Sequence, residues 1–191
     1  LSIGGMFPSH LQDRILLNLS QVPKDFLEML LIVEDRNFYN HKGISLKSIT
    51  RAFIRNTRAL GIEEGGSTIT QQLAKSLFFS PEQTIRRKVK EAIAALLIEI
   101  HYTKEEIILA YINDVFLTQA GGRAIHGFGL ASQFFFGTDL KNLTLDQKAL
   151  LVGMLKGPSL YSPTKNPERA KARRDLVLTL IKNDSLISEE K

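Results

Sequence analysis

The chain has 191 residues, 43% apolar and 24% charged, with a net charge of +5 and an isoelectric point near 9.5. That length and balance suit a globular domain with its own core, and the positive charge favours an anionic partner such as phosphate, nucleic acid or an acidic lipid surface. The absence of cysteine excludes disulfides, thiolate zinc sites and cysteine nucleophiles together, and no apolar run reaches the ~20 residues that span a bilayer.

Residues 1–22 read as an irregular lead-in, broken early by Gly4, Gly5 and Pro8, with Arg14 to Leu19 as a candidate strand. The opening lacks the layout of a signal peptide. Because the chain starts with Leu and stops in a polar tail, it is expected to be an excised domain: lead-in 1–22, folded domain 23–181, and a polar tail or linker 182–191. Pro23 suits the first position of a helix running to about Asp35, whose apolar face is Phe26, Leu27, Leu30, Leu31 and Val33. Ser45 caps the next helix, with Ile49, Ala52, Phe53 and Leu60 on one side and Lys47, Arg51, Arg55 and Arg58 on others.

A loop from Gly61 to Gly66 then leads into a helix for which Ser67 is the expected cap. Ser80 to Gln83 reads as a capping box with a first-turn proline, opening a long helix to about Ile100. Thr103 to Glu106 and Thr144 to Gln147 repeat the device. Gln119 to Gly127 is a glycine-rich loop, and Asn166-Pro167 starts the last helix, to about Ile181. The chain is therefore expected to be mainly helical.

Three stretches carry chemistry. In the first, the apolar face ending at Val33 runs into Glu34 and Asp35. A carboxylate leaving such a face needs a partner or a task, because desolvation disfavours its charged form and raises its pKa. Arg36, His41 and Lys42 are partners within reach, and Gly43 supplies a turn; a solvated charge cluster at a helix end is the bland alternative.

The second is Glu63 to Lys75, in which a glycine pair opens a hydroxyl-rich helix N-terminus, where free amides and the helix dipole favour an anion. Thr68, Gln71, Gln72 and Lys75 follow at three- and four-residue spacing along one side. Gly61 and Gly66 have phosphate-loop spacing, but Ser67 occupies the position of the required lysine and a helix, not a strand, precedes, so nucleotide hydrolysis is rejected.

The third is Arg86-Arg87-Lys88-Val89-Lys90-Glu91. Cations near a helix start oppose its dipole, which an external anion explains better than helix stability does. Arg87 and Glu91 stand one turn apart and can hold each other, a pair equally at home on a surface. His10, His41, His101 and His126 show no metal-ligand spacing, and His41 is assigned to bracing the Glu34 loop.

Taken together, Glu34-Asp35 with Phe38, His41 and Gly43, then Gly66 to Gln72 with Lys75, then Arg87-Lys88 with Glu91, resemble the ordered motifs of the peptidoglycan glycosyltransferases. These form the polymerase domain of class A penicillin-binding proteins and of monofunctional transglycosylases. Lys104 to Asn113 and Leu150 to Pro163 fit as well, so the similarity spans roughly residues 22–180, and five motifs in order are far more specific than any one. Ser76 departs from the family's common asparagine, while Asp146 to Ala149 and Lys156 look closer to the bifunctional Gram-negative type.

The resemblance implies an all-α, lysozyme-like two-lobe domain that extends glycan from lipid II, with the growing lipid-linked chain as second substrate. It implies catalytic roles for Glu34, as general base, and Glu91, which orients Arg87 or helps hold a divalent cation (Mg2+ or Mn2+). Asp35, His41, Ser67, Thr68, Gln71, Gln72, Lys75, Arg87, Lys156 and Ser159 are the implied substrate contacts. It further implies moenomycin-type inhibitors as ligands, a fused transpeptidase domain, and a place on the periplasmic face of the bacterial cytoplasmic membrane, with Leu77 to Phe79 or Phe134 to Phe136 as lipid-facing or core clusters. Two other readings stay open. Glu34 and Glu91 are the pair a lysozyme-like hydrolase needs, although a neutral glycosidic bond has no use for the cations around them. A basic nucleic-acid-binding module also fits the charge, but no helix-turn-helix spacing, zinc signature or stacking motif supports it.

Overall fold

The computed structural model describes residues 12–45, 66–79 and 84–189. The helix expected after Ser45, the loop from Gly61 to Gly65 and the capping box of Ser80 to Gln83 lie outside them. The described elements are β1 (Gln12–Asp13), α1 (Lys24–Glu34), α2 (Ile69–Phe78), α3 (Ile85–His101), α4 (Lys104–Asp114), β2 (Phe116–Ala120), β3 (Arg123–His126), α5 (Phe128–Phe136), α6 (Leu145–Met154) and α7 (Pro167–Glu189), with single 3-10 turns at Leu19–Gln21, Phe38–Asn40 and Leu140–Asn142. The mainly helical character matches the expectation.

Contacts divide the chain into two compact units, one formed by Leu1–Val33 with Ile112–Lys191 and the other by Glu34–Tyr111. In the first unit, α1 buries Phe26, Met29 and Leu30, while Leu27, Leu31 and Val33 are only half-buried. Phe26 meets Phe128 of α5 edge to face, with ring centroids 4.8 Å apart, an arrangement the aromatic quadrupoles favour. Leu151 and Val152 of α6 and Ala170 and Val177 of α7 are buried where these two helices pack together. Lys148 of α6 is itself buried, and its ammonium reaches the Asp25 carboxylate at 2.6 Å. Helix α7 continues beyond the expected end at Ile181, to Glu189.

Two local expectations are corrected here. Arg14 to Leu19 is not a strand. Among the described residues the extended pairing is Gln12–Asp13, parallel to β3, and after it a side chain takes the place of a neighbouring strand. Asn113 accepts the Leu17 amide at 2.8 Å and donates to the Leu17 carbonyl at 3.0 Å, satisfying both backbone groups with one carboxamide. Nearby, Arg14 donates to Asp114 at 2.7 Å.

The glycine-rich stretch Gln119 to Gly127 is a hairpin and not a loop: β2 and β3 pair antiparallel around Gly121-Gly122, completing a three-stranded sheet ordered β1-β3-β2. Gly121 sits at φ +58, the left-handed step such a tight turn requires. The strands are too short for alternation to reveal them, and a register shift between Phe116 and Thr118 blurs it further.

The Asn113 clamp generates a stability prediction. Asn113→Ala strands the amide and carbonyl of the buried Leu17 and should cost about 2–3 kcal/mol, read as a lower urea midpoint at unchanged slope.

Candidate active site

The second unit is assembled on its two packed helices, α2 and α3. Ser67 does not cap α2. The cap is Thr68, whose hydroxyl accepts the Gln71 amide at 3.1 Å while Gln71 Oε1 accepts the Thr68 amide at 3.0 Å. The reciprocal box needs a glutamine or glutamate three residues after the hydroxyl. Thr68 has Gln71 there, whereas Ser67 has Thr70. Ser67 instead accepts from the Lys88 ammonium at 3.1 Å. Helix α3 is likewise capped by Thr84, whose hydroxyl accepts the Arg87 amide at 3.2 Å, so Arg86, Arg87 and Lys88 occupy its first turn.

Helix α1 stops at Glu34, and the two successive acids grip α2 in different ways. Asp35 is buried, and its Oδ2 accepts the Ile69 amide at 3.0 Å, placing a carboxylate on the positive end of α2. The same oxygen receives His41 Nε2 at 2.8 Å. Since His41 Nδ1 accepts the Gly43 amide at 3.1 Å, the ring is the neutral tautomer protonated on Nε2. His41 thus braces the loop through Asp35. The Gly43 carbonyl accepts the Thr68 hydroxyl at 2.6 Å, closing the circuit back to the cap of α2.

Glu34 is half-buried, and its Oε2 accepts from Gln72 Nε2 at 2.9 Å. Gln72 Oε1 in turn accepts the Tyr111 hydroxyl at 3.0 Å. Tyr111, on α4, is buried, and burial first, then the charges of Glu34 and Asp35, push its phenol well above the ordinary value. One turn along α2 from Gln72, the exposed Lys75 lines a cavity of about 430 Å³ with Thr84, Ile85, Arg87 and Lys88. Three residues of helix amount to about 4.5 Å of rise, so a single turn of α2 joins the Glu34 carboxylate to a pocket walled by three cations.

Glu91 lies behind that wall, fully buried. Its Oε1 accepts from Arg87 Nη1, and Lys88 Nζ stands 3.0 Å from Oε2. The Lys88 contact is misaligned for a hydrogen bond, and among the described residues Glu91 Oε2 and Arg87 Nε are buried without a hydrogen-bond partner. Both neighbours of this carboxylate are cations, and no three metal-type ligands gather among the described residues. Elsewhere in the unit, Glu99 accepts from Thr70 at 2.6 Å and from Lys104 at 2.7 Å, and the Lys104 ammonium lies 4.4 Å from the centre of the Phe38 ring.

Of the residues singled out from sequence, Glu34, Asp35, His41, Ser67, Thr68, Gln71, Gln72, Lys75, Arg87 and Glu91 all fall in this unit. Asp35, His41, Thr68 and Gln71 engage their polar atoms within it, and Asp35, Thr68 and Gln71 are buried. Lys156 and Ser159 belong to the other unit, in the segment after α6. Tyr111 and Thr84 were missed. A hydroxyl on the buried stripe of α4 was the available sign for Tyr111, since such a group needs a partner.

Gly43 holds φ +81, and a side chain built there would bring its Cβ to 2.7 Å from the Ala95 carbonyl on α3. Gly43→Ala should therefore lose about 2–4 kcal/mol through backbone strain and the clash, measured by urea unfolding. The Tyr111 phenol gives a pH prediction. Its folded pKa is raised, so its contribution is complete below about pH 10 and is lost as pH climbs through the folded value. Tyrosine ring-carbon NMR should show one phenol still protonated after an ordinary tyrosine has ionised, and Tyr111→Phe should abolish that signal.

A family model described as Transglycosylase matches residues 3–182. Penicillin-binding protein 1B of Vibrio cholerae is 49% identical over 177 residues, covering 93% of this chain and 23% of that protein. Penicillin-binding protein 1B of Escherichia coli is 46% identical over 179 residues, covering 94% and 21%. The chain therefore spans less than a quarter of the length of these two relatives. Among solved structures, penicillin-binding protein 1A from Haemophilus influenzae aligns with a TM-score of 0.50 at 21% identity, over 94% of this chain and 16% of that one, a likeness of fold.

Proposed function

This chain belongs to the transglycosylase family, and we propose that it polymerises lipid II into β-1,4-linked glycan strands. The 4-hydroxyl of an incoming GlcNAc attacks C1 of a lipid-linked MurNAc. The new C1–O4 bond forms as the C1–O bond to pyrophosphate breaks, C1 inverts, and undecaprenyl pyrophosphate departs. The observation that carries this reading is the single turn of α2 between Gln72, bonded to Glu34, and Lys75, in the cationic pocket with Arg87 and Lys88.

Each group then has a task set by its chemistry. Glu34 takes the proton of the attacking hydroxyl as general base. The leaving diphosphate already carries charge and needs neutralisation more than protonation, which Lys75, Arg87 and Lys88 supply together with the amides at the start of α3. Arg87 Nε, buried without an acceptor, gains one when a phosphate oxygen enters. Glu91 orients Arg87 from behind. Asp35, His41, Thr68 and Gln71 position the loop and helix, while Lys156 and Ser159 are candidate substrate contacts on the family resemblance.

The hydrolase reading is weaker because Glu91, the second carboxylate it requires, is sealed behind Arg87 and Lys88. The family's activity also disfavours a nucleic-acid module.

A moenomycin-type phosphoglycolipid is the inhibitor whose phosphate suits the same pocket. The lipid substrate places the domain at the periplasmic face of the cytoplasmic membrane, and the exposed Leu77 and Phe78, on the turn of α2 after Lys75, are the proposed lipid-facing residues. No helix among the described residues is long and apolar enough to cross a membrane. The short span relative to the penicillin-binding proteins supports a transpeptidase domain elsewhere in the full protein.

Glu34→Gln should cut polymerisation of labelled lipid II roughly 100- to 10,000-fold, the range for losing a general base, with the helical circular dichroism unchanged; near-normal product on a gel removes Glu34 from the role. Lys75→Ala should weaken moenomycin binding about tenfold, as expected for one charge-assisted contact, by fluorescence anisotropy.

A further inference from the structure

We propose that Tyr111 is a positioning residue for the catalytic acid, acting through Gln72: its hydroxyl anchors the far end of the Gln72 carboxamide and so keeps the near end, a hydrogen-bond donor, on Glu34. The proposal rests on the reading of Glu34 as general base and extends it to a residue on α4 that hydrogen-bonds to Gln72.

The direction of the carboxamide follows from what its two neighbours can exchange. An ionised carboxylate only accepts, so the end of Gln72 that faces Glu34 at 2.9 Å must be Nε2. Oε1 then faces Tyr111, and the phenol at 3.0 Å donates to it. A phenol can also accept, so Tyr111 by itself would tolerate either end of the amide. The two contacts together tolerate only one. Tyr111 is buried, and burial raises its phenol further above the ordinary value, so it is a donor at every pH at which an ordinary tyrosine is protonated.

Removing the hydroxyl leaves the amide anchored at one end only. In Tyr111→Phe, Oε1 has lost its donor, and a carboxamide without that anchor leaves Glu34 for part of the time to find another donor for its oxygen. The fraction of molecules with a correctly held acid falls, and with it the rate of proton removal. Affinity for lipid II, carried by the cationic pocket, is untouched. Loss of kcat without loss of KM is the signature of an interaction that matters at the chemical step, whereas damage to the fold would lower the active fraction and the melting temperature together.

The test is steady-state lipid II polymerisation by four proteins: wild type, Tyr111→Phe, Gln72→Leu and the double variant. Tyr111→Phe should lower kcat about tenfold, the effect of one buried hydrogen bond, with KM within about twofold. In the Gln72→Leu background the same change should lower kcat by less than about twofold, because the intermediary is gone. Normal kcat in folded Tyr111→Phe, or an equal loss in both backgrounds, overturns the proposal. If Tyr111→Phe alone does not fold, the double variant, which leaves no orphaned carboxamide, is compared with Gln72→Leu, and a further large loss of kcat overturns it. Glu34→Gln in the same assay separates the two levels. An active Glu34→Gln removes the base and this proposal together, whereas an inactive Glu34→Gln beside a normal Tyr111→Phe removes this proposal alone.

Discussion

The unit that carries the site depends on two neighbouring acids holding one helix. Asp35 accepts the Ile69 amide at the start of α2, and Glu34 accepts the Gln72 side chain one turn later. A buried carboxylate is costly unless hydrogen-bonded donors surround it. Asp35 finds them in His41 and the first turn of α2, and the fixed distance between the two grips sets how α2 is rotated about its axis. That rotation decides where Lys75 points its ammonium. Glu34, through Gln72, and Lys75, in the cationic pocket, are therefore tied to one helix, and their spacing follows from helical geometry.

The cationic wall has a related logic. Arg87 and Lys88 sit in the first turn of α3, where the helix dipole opposes them, and the buried Glu91 compensates from one turn further in. The arrangement keeps two cations at an open pocket that would otherwise be expelled toward solvent. It also leaves donor capacity on Arg87 unmet, which a charged diphosphate oxygen meets more strongly than a neutral hydroxyl does. Transferase chemistry thus suits the electrostatics better than hydrolysis does, even though both begin with a glutamate.

Much of this was legible in the sequence because it is local. The boxes at Thr103 and Thr144 formed as read, since each depends on residues three positions apart. The cap of α2 was misplaced by one residue because Ser67 and Thr68 both carry hydroxyls, and only the position of Gln71 separates them. The strands around Gly121 escaped notice because elements of four or five residues with a register shift show no clean period. The clamp of Asn113 on Leu17 and the link from Tyr111 to Gln72 join residues far apart in the chain, which no pattern of neighbours encodes. Family motifs located Glu34, Lys75, Arg87 and Glu91, yet they did not distinguish side chains that face the pocket from those, such as Asp35 and Thr68, whose polar atoms hold the backbone in place.

The central claim is that Gln72 ties the Glu34 carboxylate to α2, and the side-chain amide of Gln72 reports on it directly. In an 15N-labelled domain, the account predicts Gln72 amide protons that exchange slowly, resonate downfield of ordinary glutamine side chains, and move upfield in Glu34→Gln. A Gln72 amide that exchanges as fast as an exposed glutamine and ignores the loss of the Glu34 charge would contradict it.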